Sequence, residues 1–173
     1  MAFAAHDPTG HSAYRTGALA LALAAASILT ALGFQHLGGL QPCELCLEQR
    51  YAYYAGVPLI FAALVFLTAS QPRIAAFLFA LVALVFLGNA ALGVYHAGVE
   101  WQFWPGPAAC SGAQQITTNA GSLLDALKTT NVVRCDQAAW RMFGLSFAGW
   151  NVIASLLLAF LALRAASEAP HTR

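Results

Sequence analysis

The stretch "IAAFLFALVALVFLGNAALGVYH", Ile74 to His96, contains no Asp, Glu, Lys or Arg. About 20 predominantly apolar residues are enough for a helix to cross the hydrocarbon core of a bilayer, and this run reaches that length. Unpaired backbone groups are costly in lipid, so the run is expected to be a helix. Three further runs have the same character: "GALALALAAASILTALGFQHL" (Gly17–Leu37), "YAYYAGVPLIFAALVFLTAS" (Tyr51–Ser70) and "FGLSFAGWNVIASLLLAFLAL" (Phe143–Leu163). The reading is an all-α membrane protein, a four-transmembrane-helix bundle forming one domain over residues 1–173. Gly17–Leu37 is long and lacks a basic leader, so it reads as a span and not a signal peptide. Composition agrees: 60% of the residues are hydrophobic and 9% charged, against about 25% charged in an ordinary soluble domain. A net charge of +1 without a basic cluster gives no grip on phosphates, and no nucleic-acid partner is expected.

Four spans put both termini on one side. Spans 2 and 3 join through "QPR", Gln71–Arg73, which allows only a tight antiparallel turn. Spans 3 and 4 are separated by a long loop, residues 97–142. Cys43 and Cys46 precede span 2, and Cys110 and Cys135 lie in the long loop, so all four cysteines face one compartment. Arg15, Arg73, Arg164 and Arg173 lie on the other side; Arg50, Lys128, Arg134 and Arg141 share the cysteine side. The cysteine-free side carries its cations on far fewer exposed residues, which favours it as cytoplasmic. The cysteines then face an oxidising exterior, where disulfides persist.

Smaller features fit this frame. Thr30, Gln35, Asn89, Ser146 and Asn151 fall within or at the ends of the spans, where interhelical hydrogen bonding is the common use of polar side chains. Gly88, Gly93 and Gly149 suit close helix packing. Trp101, Phe103 and Trp104 follow span 3, where amphipathic rings favour the interface. Pro105-Gly106-Pro107 excludes regular structure. Leu123, Leu124 and Leu127 beside Asp125 and Lys128 predict a short helix on the membrane surface.

The chemistry concentrates in "QPCELCLEQR", Gln41–Arg50. If span 2 begins near Glu44, Cys46 sits in its first turn, where free N–H groups and the helix dipole favour a thiolate. Arg50 is one turn further on the same face. Glu44 and Glu48 oppose it. Haem attachment would need His at position 47, which is Leu. A zinc site built from this CxxC with Cys110 and Cys135 has poor spacing for a compact closed site. Inert clips are little needed in a membrane bundle, and a CxxC disulfide closes too small a loop to restrain the chain much. Redox exchange remains the better use. A soluble dithiol protein could reduce the loop pair, and a membrane quinone is the natural acceptor beside the start of span 2. Arg50 would steady negative charge on a quinone oxygen.

These residues resemble a known family. "FQH" (Phe34–His36), "PCELC" with Arg50 four residues on, "YHAGVEWQFWPGPAAC" (Tyr95–Cys110) and "RCDQAAWRMFGLSFAGWN" (Arg134–Asn151) together are similar to disulfide bond formation protein B, DsbB, over nearly the whole chain. The resemblance implies a bacterial inner-membrane enzyme with cytoplasmic termini and periplasmic cysteines. It implies the pairs Cys110–Cys135 and Cys43–Cys46. Cys110 would form the mixed disulfide with a periplasmic thioredoxin-fold thiol oxidase of DsbA type. Cys43 would exchange with the loop pair, and Cys46 would lie nearest the quinone, ubiquinone or menaquinone. Arg50 and His96 would contact the quinone, and no metal is expected. Glu44 and Glu48 are the departure of concern, since acids so close oppose a thiolate. A vitamin K epoxide reductase-like quinone reductase, a cysteine-based metal carrier and a structural protein with stable disulfides are the rival readings.

Overall fold

A computed structural model describes residues 8–107 and 134–171. Four long helices carry the fold: α1 (Pro8–His36), α2 (Glu44–Thr68), α3 (Pro72–Glu100) and α4 (Phe147–Glu168). Each contains a segment long and apolar enough to cross a membrane, so this is a multi-pass membrane protein. Around the bundle α1 packs on α2, α2 on α3, α3 on α4 and α4 back on α1, with the α3–α4 seam the most extensive.

Local signals explain the helix ends. Pro8 and Pro72 stand at the start of α1 and α3, where the missing N–H costs nothing. The α2–α3 link is as tight as "QPR" suggested and turns through Ser70 at φ 58°. Pro58 lies inside α2 without ending it. The structure moves several boundaries: α1 starts earlier, at Pro8, α2 at Glu44, and α4 runs on to Glu168. Helix α3 runs on to Glu100 because helical hydrogen bonding need not stop where the apolar run stops. Helix α4 starts at Phe147 and not Phe143: β1 (Arg141–Met142) and β2 (Leu145–Ser146) pair antiparallel across Phe143 and Gly144, at φ 52° and 82°. Two successive positive φ values match the two-residue hairpin turn favoured by strand twist. Ser146 then caps α4, its Oγ accepting from the Gly149 N–H.

The bundle interior is filled by Tyr53, Ile60, Phe79, Val82, Phe86 and Leu158, interleaved with alanines such as Ala63, Ala83 and Ala162. Large apolar side chains also cover the outside; Leu29, Phe61, Phe77 and Leu84 are each at least 60% exposed. Such an apolar exterior suits lipid and not water. The expected roles of small residues are only partly met. Gly93 lies against Val152 of α4, whereas among the described residues Gly88 meets nothing within 4 Å and Gly149 meets only Leu145. Between helices, the closest approaches are at Gly17, under Phe79, and Gly56, under Phe86. Trp104 turns back over Gly98, stacks on Tyr95 and donates its Nε1–H to the Tyr95 carbonyl. Pro105–Pro107 are irregular, as expected; the proposed surface helix at Leu123–Lys128 lies outside the described residues.

A Cβ at Gly56 would stand 2.7 Å from the Phe86 ring. Gly56→Val is therefore expected to destabilise the bundle by about 1–3 kcal/mol through overpacking. Thermal unfolding in detergent micelles would show this as a lowered midpoint, while Gly88→Val should leave the midpoint nearly unchanged.

Candidate functional site

The start of α2 builds the site. Cys43 is the helix N-cap, in extended conformation, and its sulfur accepts the Cys46 N–H at 3.3 Å. A sulfur thus plays the part usually taken by a Ser or Asp oxygen. Cys46 lies in the first turn, where the sequence expected it. Cys43 is buried and Cys46 half-buried. Both are free thiols, so the expected Cys43–Cys46 disulfide is open here.

Glu44 and Glu48 are exposed and lie away from the buried sulfur, in solvent that screens them. The acid that faces the pair comes from α3. Glu100, whose side chain is 5% exposed, has its Oε1 3.9 Å from His96 Nε2, and its Oε2 is buried without a hydrogen-bond partner among the described residues. Sequence reading missed Glu100 because it sits just past the apolar run, among residues assigned to the loop.

His96 is buried, as is Gln49. Its Nε2 lies 3.7 Å from the Cys43 sulfur and its Nδ1 2.8 Å from Gln49 Nε2. Both ring nitrogens are therefore engaged by protein groups. Gln49 in turn accepts from Asn151 Nδ2 at 2.6 Å, and Asn151 Oδ1 accepts from the Tyr53 hydroxyl at 2.8 Å. Asn89 reaches Asn151 and Ser155 at 3.3 and 3.0 Å. Asn89 and Asn151 thus make the interhelical bonds expected of them. Gln49 went unnoticed; its spacing, three residues after Cys46 and on the buried face of α2, was the available signal. Ser146 caps α4 and its side chain also pairs with Glu100 of α3.

Arg50 points across to α1, donating to Gln35 Oε1 and to the Ala31 carbonyl. These contacts fix its guanidinium on the wall of a cavity of about 440 Å³ between α1, α2 and α4. Cys46, Gln35, His96, Phe34, Phe147 and Trp150 share that wall. Phe34, Trp140 and Phe147 pack together, with ring centroids 5.2–5.7 Å apart. A space of this size, mostly apolar with a few convergent polar groups, has the form of a small-molecule site.

Cys135 is buried in one cluster with Cys43, Leu45 and Val99 and is disulfide-bonded. Its expected mate, Cys110, lies outside the described residues. The Cys43, Cys46 and His96 ligand atoms all fall within 4.8 Å of one another, so by distance alone they could gather a metal ion.

The molecule is thus a four-span membrane protein that sets a dithiol, at a helix N-terminus, between a ligand-sized cavity and a second cysteine pair's member; such an arrangement belongs to thiol–disulfide redox chemistry. The model of the family "Disulfide bond formation protein DsbB" matches residues 14–165. The chain is 32% identical over 139 residues to disulfide bond formation protein B of Aromatoleum aromaticum, covering 76% of this chain and 81% of that one. It is 29% identical over 152 residues to the protein of the same name from Herminiimonas arsenicoxydans, covering 85% and 91%. No solved structure matches. The chain belongs to the DsbB family, and its role is that of an oxidoreductase of disulfide bond formation.

The Cys43 thiol is pushed up from the ordinary range, first by the hydrogen bond it shares with Cys46 and then by burial. The donated Cys46 N–H works in the opposite sense and is outweighed. In the reduced protein, alkylation of Cys43 should stay slow through neutral pH and rise only well above the usual thiol value of about 8.5. Cys46→Ala removes the largest cause, so Cys43 labelling should then begin at lower pH, as read by mass spectrometry of alkylated peptides.

Proposed function

We propose that the protein reoxidises a periplasmic thioredoxin-fold thiol oxidase of DsbA type and passes the two electrons to a membrane quinone. The observation that carries this reading is the pair of surroundings given to the CxxC. Cys46 borders the cavity that Arg50 also lines, while Cys43 packs in the cluster that contains Cys135.

The residues present fit a quinone. The aromatic walls suit a flat ring, and α1 lines the cavity from Leu23 to Phe34, a track of about 16 Å at 1.5 Å per residue that suits an isoprenoid tail. Arg50, held by α1, and Cys46 would flank the head group. A bound quinone supplies an acceptor for two electrons and two protons.

The steps assigned to this chain balance as thiol–disulfide exchanges. A thiolate of the reduced partner attacks Cys110 of the Cys110–Cys135 disulfide, forming a mixed disulfide and releasing Cys135. The partner's second thiol then releases oxidised partner and leaves both loop cysteines reduced. Cys135 attacks Cys43 of the Cys43–Cys46 disulfide, so that Cys46 departs as thiolate beside Arg50. The loop disulfide re-forms when Cys110 attacks Cys135, leaving Cys43 and Cys46 reduced with the two electrons. The positive guanidinium at the cavity wall favours each state in which negative charge collects there.

The same reading puts the chain in the bacterial inner membrane, cysteines outward and termini cytoplasmic. The distribution of Lys and Arg supports it, as does the disulfide at Cys135, which an oxidising compartment permits.

Purified protein given a quinone and the reduced partner should bleach the quinone absorbance at a rate proportional to enzyme. Cys46→Ser is expected to abolish this turnover, and Cys110→Ala to abolish the mixed disulfide with the partner. Turnover surviving in Cys46→Ser would remove Cys46 from the path. Arg50→Met removes a charged hydrogen-bond donor, which is typically worth about 1.5–3 kcal/mol. The KM for quinone should therefore rise about tenfold or more, while the KM for the partner stays the same.

A further inference from the structure

The side chains of Gln49, Asn151 and Asn89 form a buried chain of hydrogen bonds, and its direction can be worked out. One terminal atom of Gln49 faces the Leu45 carbonyl at 3.2 Å and His96 Nδ1 at 2.8 Å. The carbonyl only accepts, so that atom is the amide nitrogen; an oxygen there would face another oxygen without a hydrogen between them. The other end of Gln49 is then its oxygen, which accepts from Asn151 Nδ2. Asn151 Oδ1 is left to accept from the Tyr53 hydroxyl and from Asn89. Every amide is thereby fixed from one obligate acceptor.

The consequence falls on His96. Gln49 donates into Nδ1, so Nδ1 carries no hydrogen, and the neutral ring bears its proton on Nε2. That Nε2–H faces the Cys43 sulfur at 3.7 Å and Glu100 Oε1 at 3.9 Å, both acceptors, and the ring also hydrogen-bonds the Cys135 backbone. Resting on the reading of the CxxC given above, we propose that Gln49 and Asn151 are positioning residues. They hold His96 as the Nε2–H tautomer, so that hydrogen bonds donated in one direction, Asn89 to Asn151 to Gln49 to His96, end on the Cys43–Cys46 pair. Aligned hydrogen bonds polarise one another in a low-dielectric interior, and here the polarisation favours negative charge on sulfur.

This also tells against a metal at the Cys43, Cys46 and His96 trio. Coordination through Nε2 needs its lone pair free and the ring proton moved to Nδ1. A metal-bound histidine ordinarily donates its other N–H to a carboxylate, carbonyl or water. Here the group opposite Nδ1 is the Gln49 N–H, 2.8 Å away, so two donors would meet. Gln49 cannot turn its amide without opposing the Leu45 carbonyl and Asn151 Nδ2 at once. The site is built for a sulfur anion and against a cation.

The direct test is the ¹⁵N ring correlation spectrum of the reduced full-length protein in detergent micelles, with His96 identified by the signals lost in His96→Phe. The wild type should show the Nε2–H pattern. Gln49→Glu places an acceptor opposite Nδ1 and should move the proton there. Asn151→Leu removes one of the two groups that orient the Gln49 amide and leaves the Leu45 carbonyl, so Nε2–H should stay the major form with a smaller share of Nδ1–H appearing. An Nδ1–H pattern in the wild type, or Nε2–H unchanged in both variants, would overturn the proposal. A second measurement uses the Cys110→Ser/Cys135→Ser background, in which only the CxxC pair can take up metal. Zinc affinity, read by competition with a chromophoric chelator, should tighten about 10–100-fold in Gln49→Glu, the usual scale for an outer-shell partner. Equal affinity with and without Gln49→Glu would remove the exclusion of metal from the proposal. Neither measurement needs quinone or partner oxidase, so failure of the tautomer assignment is distinguishable from failure of quinone reduction.

Discussion

The site rests on how the first turn of α2 satisfies its backbone. A helix leaves its first N–H groups without internal partners, and at the edge of a bilayer water is only partly available to pair them. Here the Cys43 sulfur takes one of those bonds, from the Cys46 N–H. The reactive pair is thus part of the structure that starts the helix. Its place relative to Arg50, one turn on, and to Gln49 on the buried face follows from helical geometry alone. What remained for tertiary structure was to bring α1, α3 and the long loop to that point.

Each of them brings a different kind of group. Helix α1 supplies Gln35 and the Ala31 carbonyl, which hold the Arg50 guanidinium at the cavity wall. Helix α3 supplies His96 and Glu100, both buried beside the sulfurs. Helix α4 supplies Asn151, which joins α2 to α3 through Gln49, Tyr53 and Asn89. Unsatisfied polar groups in such surroundings are expensive, so a network that is mostly paired also fixes the relative register of the three helices. The exception is Glu100 Oε2, which has no hydrogen-bond partner among the described residues.

Much of this was legible in the sequence, and the parts that were not share a cause. The four spans were readable because apolar length is a strong, one-dimensional signal. The cysteine pair, Arg50 and His96 stand at recognisable spacings, and the structure brings Cys43, Cys46 and His96 within 4.8 Å of one another. Gln49, Glu100 and the hairpin before α4 were not anticipated. The first two are ordinary polar residues whose importance depends on which helix face they occupy and what lies across from it. That is a property of packing between segments 40 or more residues apart, to which periodicity along one helix is blind. The hairpin depends on Phe143 adopting positive φ, which an apolar residue after a methionine gives no hint of. The acids that looked troublesome, Glu44 and Glu48, turned outward, while the acid that faces the pair is on another helix.

The spacing of the cysteines also separates their tasks. With Cys43 as N-cap and Cys46 in the first turn, the two sulfurs share a backbone hydrogen bond yet meet different neighbours. Cys43 lies against Val99 and Cys135, and Cys46 borders the cavity. Cys46, which also packs against the edge of that cluster, therefore bridges the Cys135 side and the cavity. A wider spacing would lose the direct bond, and adjacent cysteines would strain it. Under the proposed function, accepting electrons from a soluble protein and delivering them within the bilayer needs contact on both sides at once. Two residues between the cysteines, at the start of a helix, meet that need with the least rearrangement.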